Sequence, residues 1–238
     1  MAKPDASNRL PNVSAMQLKV CTDNENDWVE FIELCVISFQ ESAPFVRSHP
    51  DPVKREAFLM KYIKHHYETE LSNGRAGLAC VKMQNAFGRE EIIYGSCCQY
   101  GHGKRTESDQ GPMRELDAIG WEKNEMEDEW LELQIHSKMP YIAEFLNVNI
   151  MHGVYHATLE EYKGKGIAKH YTVPAITVIF ADGIRRGILD GAKPTIIYGV
   201  IDDYRALGLQ KLTGYDEIYH LHNTHDKNYI KCINDSKE

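Results

Sequence analysis

The chain has 238 residues, 42% of them hydrophobic and 26% charged, with a formal net charge of −8. This is the make-up of a globular protein with enough length for one ordinary to large domain. The negative balance argues against nucleic acid as the main partner, and no apolar run approaches the roughly 18–20 residues of a membrane span.

In chain order, Met1 to Ala15 is polar and aperiodic, which predicts a flexible tail with no secretory signal and hence a cytoplasmic protein. Residues 16–238 are read as one domain. Gln17–Cys21 reads as a strand. A helix follows, capped by Asn26 or Asp27, with Trp28, Phe31, Ile32, Cys35 and Phe39 at spacings of three and four. Asp51-Pro52 starts a second helix that runs toward Leu71, with proline at its first position. Gly77–Met83 and Glu91–Tyr100 form a hairpin. Gly101–Pro112 is a long loop, and helical pieces are predicted at Met126–His136 and Tyr141–Phe145. Asn149–Leu159 is the central strand. The helix after Gly166 is apolar on most sides, with Pro174 inside it. Thr195–Val200 is a strand, Asp202 or Asp203 caps a short helix through Leu212, and Ile218–His222 is the last strand.

The six cysteines show no C-x-x-C spacing and read as reduced, buried thiols. Cys97 and Cys98 are adjacent in a strand and so point to opposite faces. The pairs His65-His66 and His220/His222 lack a third ligand at sensible spacing, and no metal is expected.

The stretch that carries chemistry runs from Val154 to Lys169. The alternating Val154-Tyr155-His156-Ala157-Thr158-Leu159 feeds Glu160-Glu161-Tyr162-Lys163-Gly164-Lys165-Gly166-Ile167-Ala168-Lys169, which is a strand, a glycine turn and a helix start. A helix start leaves its first N–H groups unpaired at the positive end of the peptide dipole. Glycines let that backbone approach a ligand, so the turn is an anion or pyrophosphate cradle. The Gly-Lys-Ser/Thr of a P-loop and the third glycine of a dinucleotide fingerprint are both missing.

This stretch resembles the acetyl-CoA motif Gln/Arg-x-x-Gly-x-Gly/Ala of the GCN5-related N-acetyltransferase (GNAT) superfamily, with Glu161 departing from its first position. The order of elements over residues 17–225 resembles that fold too. A second local match is Asp203 to Tyr215, which is similar to the family's Asn-x-x-Ala…Leu-Gly-Phe through Asp203, Ala206 and Gly214-Tyr215. The long insert before the central strand and the turn Phe39–Phe45 resemble the animal arylalkylamine N-acetyltransferase-like group.

The resemblance implies a single α/β (α+β) domain with a mixed central sheet flanked by helices. It implies acetyl-CoA as co-substrate, no metal, and transfer of acetyl to a primary amine by direct attack on the thioester. The acceptor is a small, arylalkyl-type amine; a protein lysine or N-terminus is the alternative, and a non-catalytic acyl-CoA-binding module another. His156, Ala157 and Thr158 would pair with the pantetheine. Lys163, Gly164, Lys165, Gly166, Ile167 and Ala168 would hold the pyrophosphate, and Asp203 would lie by the pantetheine arm. For the base, His152 on the central strand and Glu41 in the early turn are both candidates. The family's acid tyrosine falls on Gln210, leaving Tyr204 or Tyr215 as substitutes.

Overall fold

The computed structural model describes residues 16–42, 45–46, 49–72, 74–85, 87–101, 139, 141–199, 219–222 and 229–232. Five strands form one sheet in the order β1 (Leu18–Val20), β2 (Ala76–Gln84), β3 (Glu90–Tyr100), β4 (Asn149–Thr158) and β5 (Thr195–Tyr198). The pairs from β1 to β4 are antiparallel, and β4 pairs parallel with β5. Helices α1 (Glu25–Phe39) and α2 (Pro52–His66) cover one face, and α3 (Ile167–Arg185) covers the other. Strands β6 (Tyr219–His222) and β7 (Tyr229–Cys232) form a separate antiparallel pair; β7 is an element that sequence periodicity missed.

Local chemistry explains the boundaries. The α1 cap is Asn24, two or three residues earlier than expected; its side chain accepts from the Asn26 N–H at 3.1 Å. Moving the cap forward places Glu25 and Asp27 in the first turn, where the dipole favours them. Asp51 caps α2 as expected, accepting from the N–H groups of Val53 and Lys54, with Pro52 at the first position. The turn between β2 and β3 is tied by the Asn85 side chain, which accepts from the N–H groups of Phe87 and Arg89.

The core divides along the sheet. Phe31, Leu59 and Ile63 pack with Leu78, Cys80, Cys97 and Ala157 on the α1/α2 side. Ile167, Tyr171 and Ile179 pack with Ala79, Val81, Cys98 and Met151 on the α3 side. Cys97 and Cys98 therefore do face opposite ways. Burying one such aliphatic or aromatic side chain stabilises the fold by about 1.5–3 kcal/mol. Helix α3 is less enclosed than its composition predicted: Val173, Pro174 and Thr177 are exposed. Pro174 thus leaves its missing hydrogen bond on the outer, wetted side.

No helix of the described residues is long and apolar enough to cross a membrane. The expected tail, the loop after Gly101, the helix at 126–136 and the segment Asp203–Tyr215 lie outside the described residues.

Candidate active site

Strand β4 ends at Thr158, a 3₁₀ turn spans Glu160–Tyr162, and α3 starts at Ile167. Gly164 and Gly166 have φ of 71° and 83°, in the left-handed region where only glycine sits without strain. Among the described residues nothing lies within 4 Å of a Cβ built on either. Gly166 is the N-cap and no side chain caps it; the first intrahelical bond runs from the His170 N–H to the Gly166 carbonyl. Ile167, Ala168 and Lys169 therefore present the free donors of a helix start. Lys165 and Lys169 are exposed beside them, with Lys165 Nζ 5.4 Å from the centre of the Tyr162 ring. Lys163 is engaged: its Nζ stands 2.5 Å from Glu160 and 3.4 Å from the Ser38 carbonyl. A phosphate drawing on Lys163 has to compete with Glu160.

Upstream, β4 has an edge that no strand among the described residues pairs. Its parallel pairing to β5 covers only Asn149 to His152, ending on Tyr198, while β4 continues to Thr158. The register with β3 slips between Cys97, opposite Tyr155, and Cys98, opposite Gly153, which makes Val154 a bulge. Beyond it the Leu159 N–H donates to Ile93. Antiparallel alternation then turns the backbone of Tyr155 and Ala157 toward β3 and that of His156 and Thr158 toward the open edge. Of the three residues expected to meet a pantetheine, two expose backbone there, and Ala157 is buried in the α1/α2 core instead. The Thr158 carbonyl already accepts from Ser38 Oγ at 3.0 Å, which fixes α1 to this end of β4.

The bulge also sorts side chains. In a regular strand His152 and His156 would share a face. Here His152 is on the α1/α2 side, while His156 lies with Gly153 on the α3 side. A Cβ on Gly153 would stand 3.3 Å from His156 Nε2. The His156 Nδ1 is buried without a hydrogen-bond partner among the described residues, and burial pulls the imidazole pKa down to about 4, so the ring is neutral at pH 7. His152 is buried and stacks on Tyr198, its cross-strand partner, with ring centres 4.8 Å apart.

On the α1/α2 side Val154 and Tyr155 face the helices together. Tyr155 packs 5.9 Å from Phe39, and its hydroxyl lies 2.7 Å from His66 Nδ1 on α2. Phe45 joins Phe39, Phe58 and Tyr62 into one aromatic wall, and His49 stacks on Phe58 at 4.1 Å. Glu41, the second predicted base, sits just past the end of α1. Its side chain is 80% exposed and its carboxylate is 4.0 Å from Arg55, which is itself buried. Among the described contacts none joins Glu41 to β4. Sequence reading gave Tyr155 and Tyr198 no role and weighed His66 only as a metal ligand. Gly153 was the available signal, because a glycine inside a strand marks a bulge. Asp203, Tyr204, Gln210 and Tyr215 lie outside the described residues.

A cleft of about 740 Å³ lies at the opposite edge of the sheet, by β1. Its charges are paired off, Asp27 with Lys82 and Asp23 and Asp182 with Arg185, so it offers no comparable cradle.

Arylalkylamine N-acetyltransferase 2 from Aedes aegypti superposes with a TM-score of 0.51 at 11% identity, over 87% of this chain and 83% of that one. The fold is that of the GNAT acetyltransferases. A Corynebacterium glutamicum protein described as histone acetyltransferase HPA2 and related acetyltransferase covers 90% of this chain and 91% of its own, at 14% identity and a TM-score of 0.47. An aminoglycoside acetyltransferase from an uncultured soil metagenomic sample, in complex with sisomicin, covers 88% and 95%, at 11% identity and a TM-score of 0.40. No family model and no curated protein matches the sequence. At these identities the GNAT likeness is one of architecture.

Proposed function

We propose that the protein is an acetyl-CoA-dependent N-acetyltransferase acting on a small primary amine of arylalkyl type, with residues 16–238 as its catalytic domain and the cytoplasm as its place of work. The observation that carries this reading is a continuous run of backbone with no strand or side-chain cap partner among the described residues. The edge of β4 at His156 and Thr158 leads through Gly164 and Gly166 to an uncapped helix start. An extended amide-bearing arm fits the edge as an added strand fits a sheet, and a diphosphate fits the helix start. Lys163, Lys165, Ile167 and Ala168 belong to that cradle. Asp203 is assigned to the arm by resemblance.

The chemistry is attack of the amine nitrogen on the thioester carbonyl, with the C–S bond breaking and coenzyme A leaving as the thiol. Holding both reactants on one frame supplies much of the rate. The acceptor must lose a proton before it can attack. His152 has the imidazole for that step, with its ring orientation fixed by Tyr198. Glu41, exposed and beside Arg55, is the less favoured base. The wall of Phe39, Phe45 and Tyr155 supports an acceptor with an apolar or aromatic body, over a protein lysine.

The test is thiol release, corrected for hydrolysis, with arylalkylamines, polyamines, amino acids and basic peptides, beside a Gly164→Glu/Gly166→Glu variant. Turnover of a small amine that disappears in the variant is the expected result, with His152→Ala slower by roughly 10²-fold or more. Binding of acetyl-CoA with no acceptor turned over would remove the enzyme reading and leave the acyl-CoA-binding module. Preference for basic peptides would move the acceptor to protein.

A further inference from the structure

The acceptor nitrogen gives up two protons over the reaction, one before attack and one from the tetrahedral adduct, and the sulfur takes up only one. His152 is 7% exposed and stacked against Tyr198. A second proton acceptor on the same face would leave His152 free to return its proton to the sulfur.

Tyr155 and His66 provide a pair suited to it. The bulge at Val154 turns Tyr155 onto the α1/α2 side, the side that His152 occupies. Its ring is set by Phe39 at 5.9 Å and meets the His66 imidazole edge-on at 5.5 Å. The hydroxyl and His66 Nδ1 are 2.7 Å apart, a short hydrogen bond between β4 and α2. Both residues are half-buried, so the pair runs from the sheet face toward the α2 surface. A phenol can accept a proton on its oxygen while passing its own to an imidazole nitrogen, so the two move a proton without building charge on the tyrosine.

We propose that Tyr155 and His66 form a proton relay that removes the second proton from the acceptor nitrogen. The inference rests on the acetyl-transfer reading above. His152 takes the ammonium proton, the amine lone pair forms the C–N bond, and the adduct expels the thiolate as the C–S bond breaks. The nitrogen proton then passes to Tyr155 Oη as the tyrosine proton passes to His66 Nδ1. His152 returns its proton to the sulfur, and His66 releases the other to solvent. One ammonium and one thioester give one amide, one thiol and one proton. Tyr155 is the catalytic residue of the pair, and His66 is the positioning residue and the terminal proton acceptor.

The experiment compares wild type, Tyr155→Phe, His66→Gln and the double variant in kcat, acceptor KM, acetyl-CoA Kd and solvent deuterium isotope effect. Glutamine at 66 still accepts the tyrosine hydrogen bond through its amide oxygen, yet it cannot take up the proton. A relay predicts kcat lower by roughly 10²-fold in each single variant and no lower in the double, because the two act as one unit. KM and Kd stay within about threefold, and the isotope effect changes. Wild-type kcat in His66→Gln would show a purely structural bond and overturn the relay. So would a loss of acetyl-CoA binding in Tyr155→Phe that parallels its loss of rate. If wild type turns over and neither variant slows, the relay fails while the acetyltransferase reading stands. If wild type transfers no acetyl group to any acceptor, that reading fails and the relay falls with it.

Discussion

Replacing Gly166 by glutamate separates the proposed binding role of the cradle from its role in folding. Gly166 caps α3 with φ of 83°, and a Cβ there meets no atom within 4 Å. The new side chain therefore causes backbone strain without a clash, about 1–2 kcal/mol for a left-handed L-residue. A carboxylate at a helix start recovers about 0.5 kcal/mol from the dipole. The net loss of about 1 kcal/mol lowers Tm by about 2–4 °C in a chain of this size. Binding changes far more. The carboxylate occupies the place of a phosphate, and two charge-assisted N–H bonds at about 1.5 kcal/mol each are lost. That is a rise in Kd of roughly 10²-fold. Calorimetric titration with acetyl-CoA and with acetylpantetheine, which has no diphosphate, tells the cases apart. Acetyl-CoA should weaken by that factor and acetylpantetheine hardly at all, while Gly166→Ala shows the strain without the charge. Equal acetyl-CoA affinity in wild type and Gly166→Glu would refute the cradle. Equal weakening of both ligands would show that the site had collapsed.

Two further outcomes follow from the packing around β4. The folded-state pKa of His156 is depressed to about 4 from the usual 6.5 by burial, so the unfolded chain binds its proton first as pH falls. Its contribution to stability is present above about pH 6.5 and is lost between about 6.5 and about 4, an effect of order 3 kcal/mol. Thermal melts of His156→Gln should be flatter than wild type over that window, and an NMR titration placing the wild-type imidazole near 6.5 would refute the assignment. On β3, a Cβ at Gly95 would run into the Phe31 ring of α1, which has no room to retreat. Gly95→Ala should cost about 1–3 kcal/mol, read as a lower urea midpoint at unchanged m; an unaltered midpoint would mean that α1 packs less tightly on the sheet than the structure shows.

Much of the frame could be read from residue patterns, because it follows from local rules. Asp51-Pro52 gave the start of α2 to the residue, and the glycines at 164 and 166 marked the turn into α3, since a helix entered through two positive φ angles has few other spellings. The α1 cap was misplaced by two or three positions because Asn24, Asn26 and Asp27 are all competent caps. Only packing, with Asp27 buried against Lys82, chooses among them. Strand β7 escaped because four residues, Tyr229–Cys232, carry too little periodicity to stand out.

The site itself was harder, and one residue explains why. Pattern reading assumes that side chains alternate without interruption, which would put His152 and His156 on one face of β4 and Tyr155 on the other. The bulge at Val154 shifts the phase by one. It moves His156 to the α3 side, keeps His152 on the α1/α2 side and adds Tyr155 there, within reach of His66 from α2. A bulge is stabilised by what the rest of the fold does on either side of it: β3 holds both flanks in register, β5 stops at Tyr198, and Gly153 leaves room for the displaced ring. Those are long-range conditions, and the sequence signal for them is a single glycine. The same slip that opens the backbone edge at His156 and Thr158 therefore also decides which side chains face the α1/α2 layer. The proposed binding edge and the proposed proton-handling face are two consequences of one extra residue in β4.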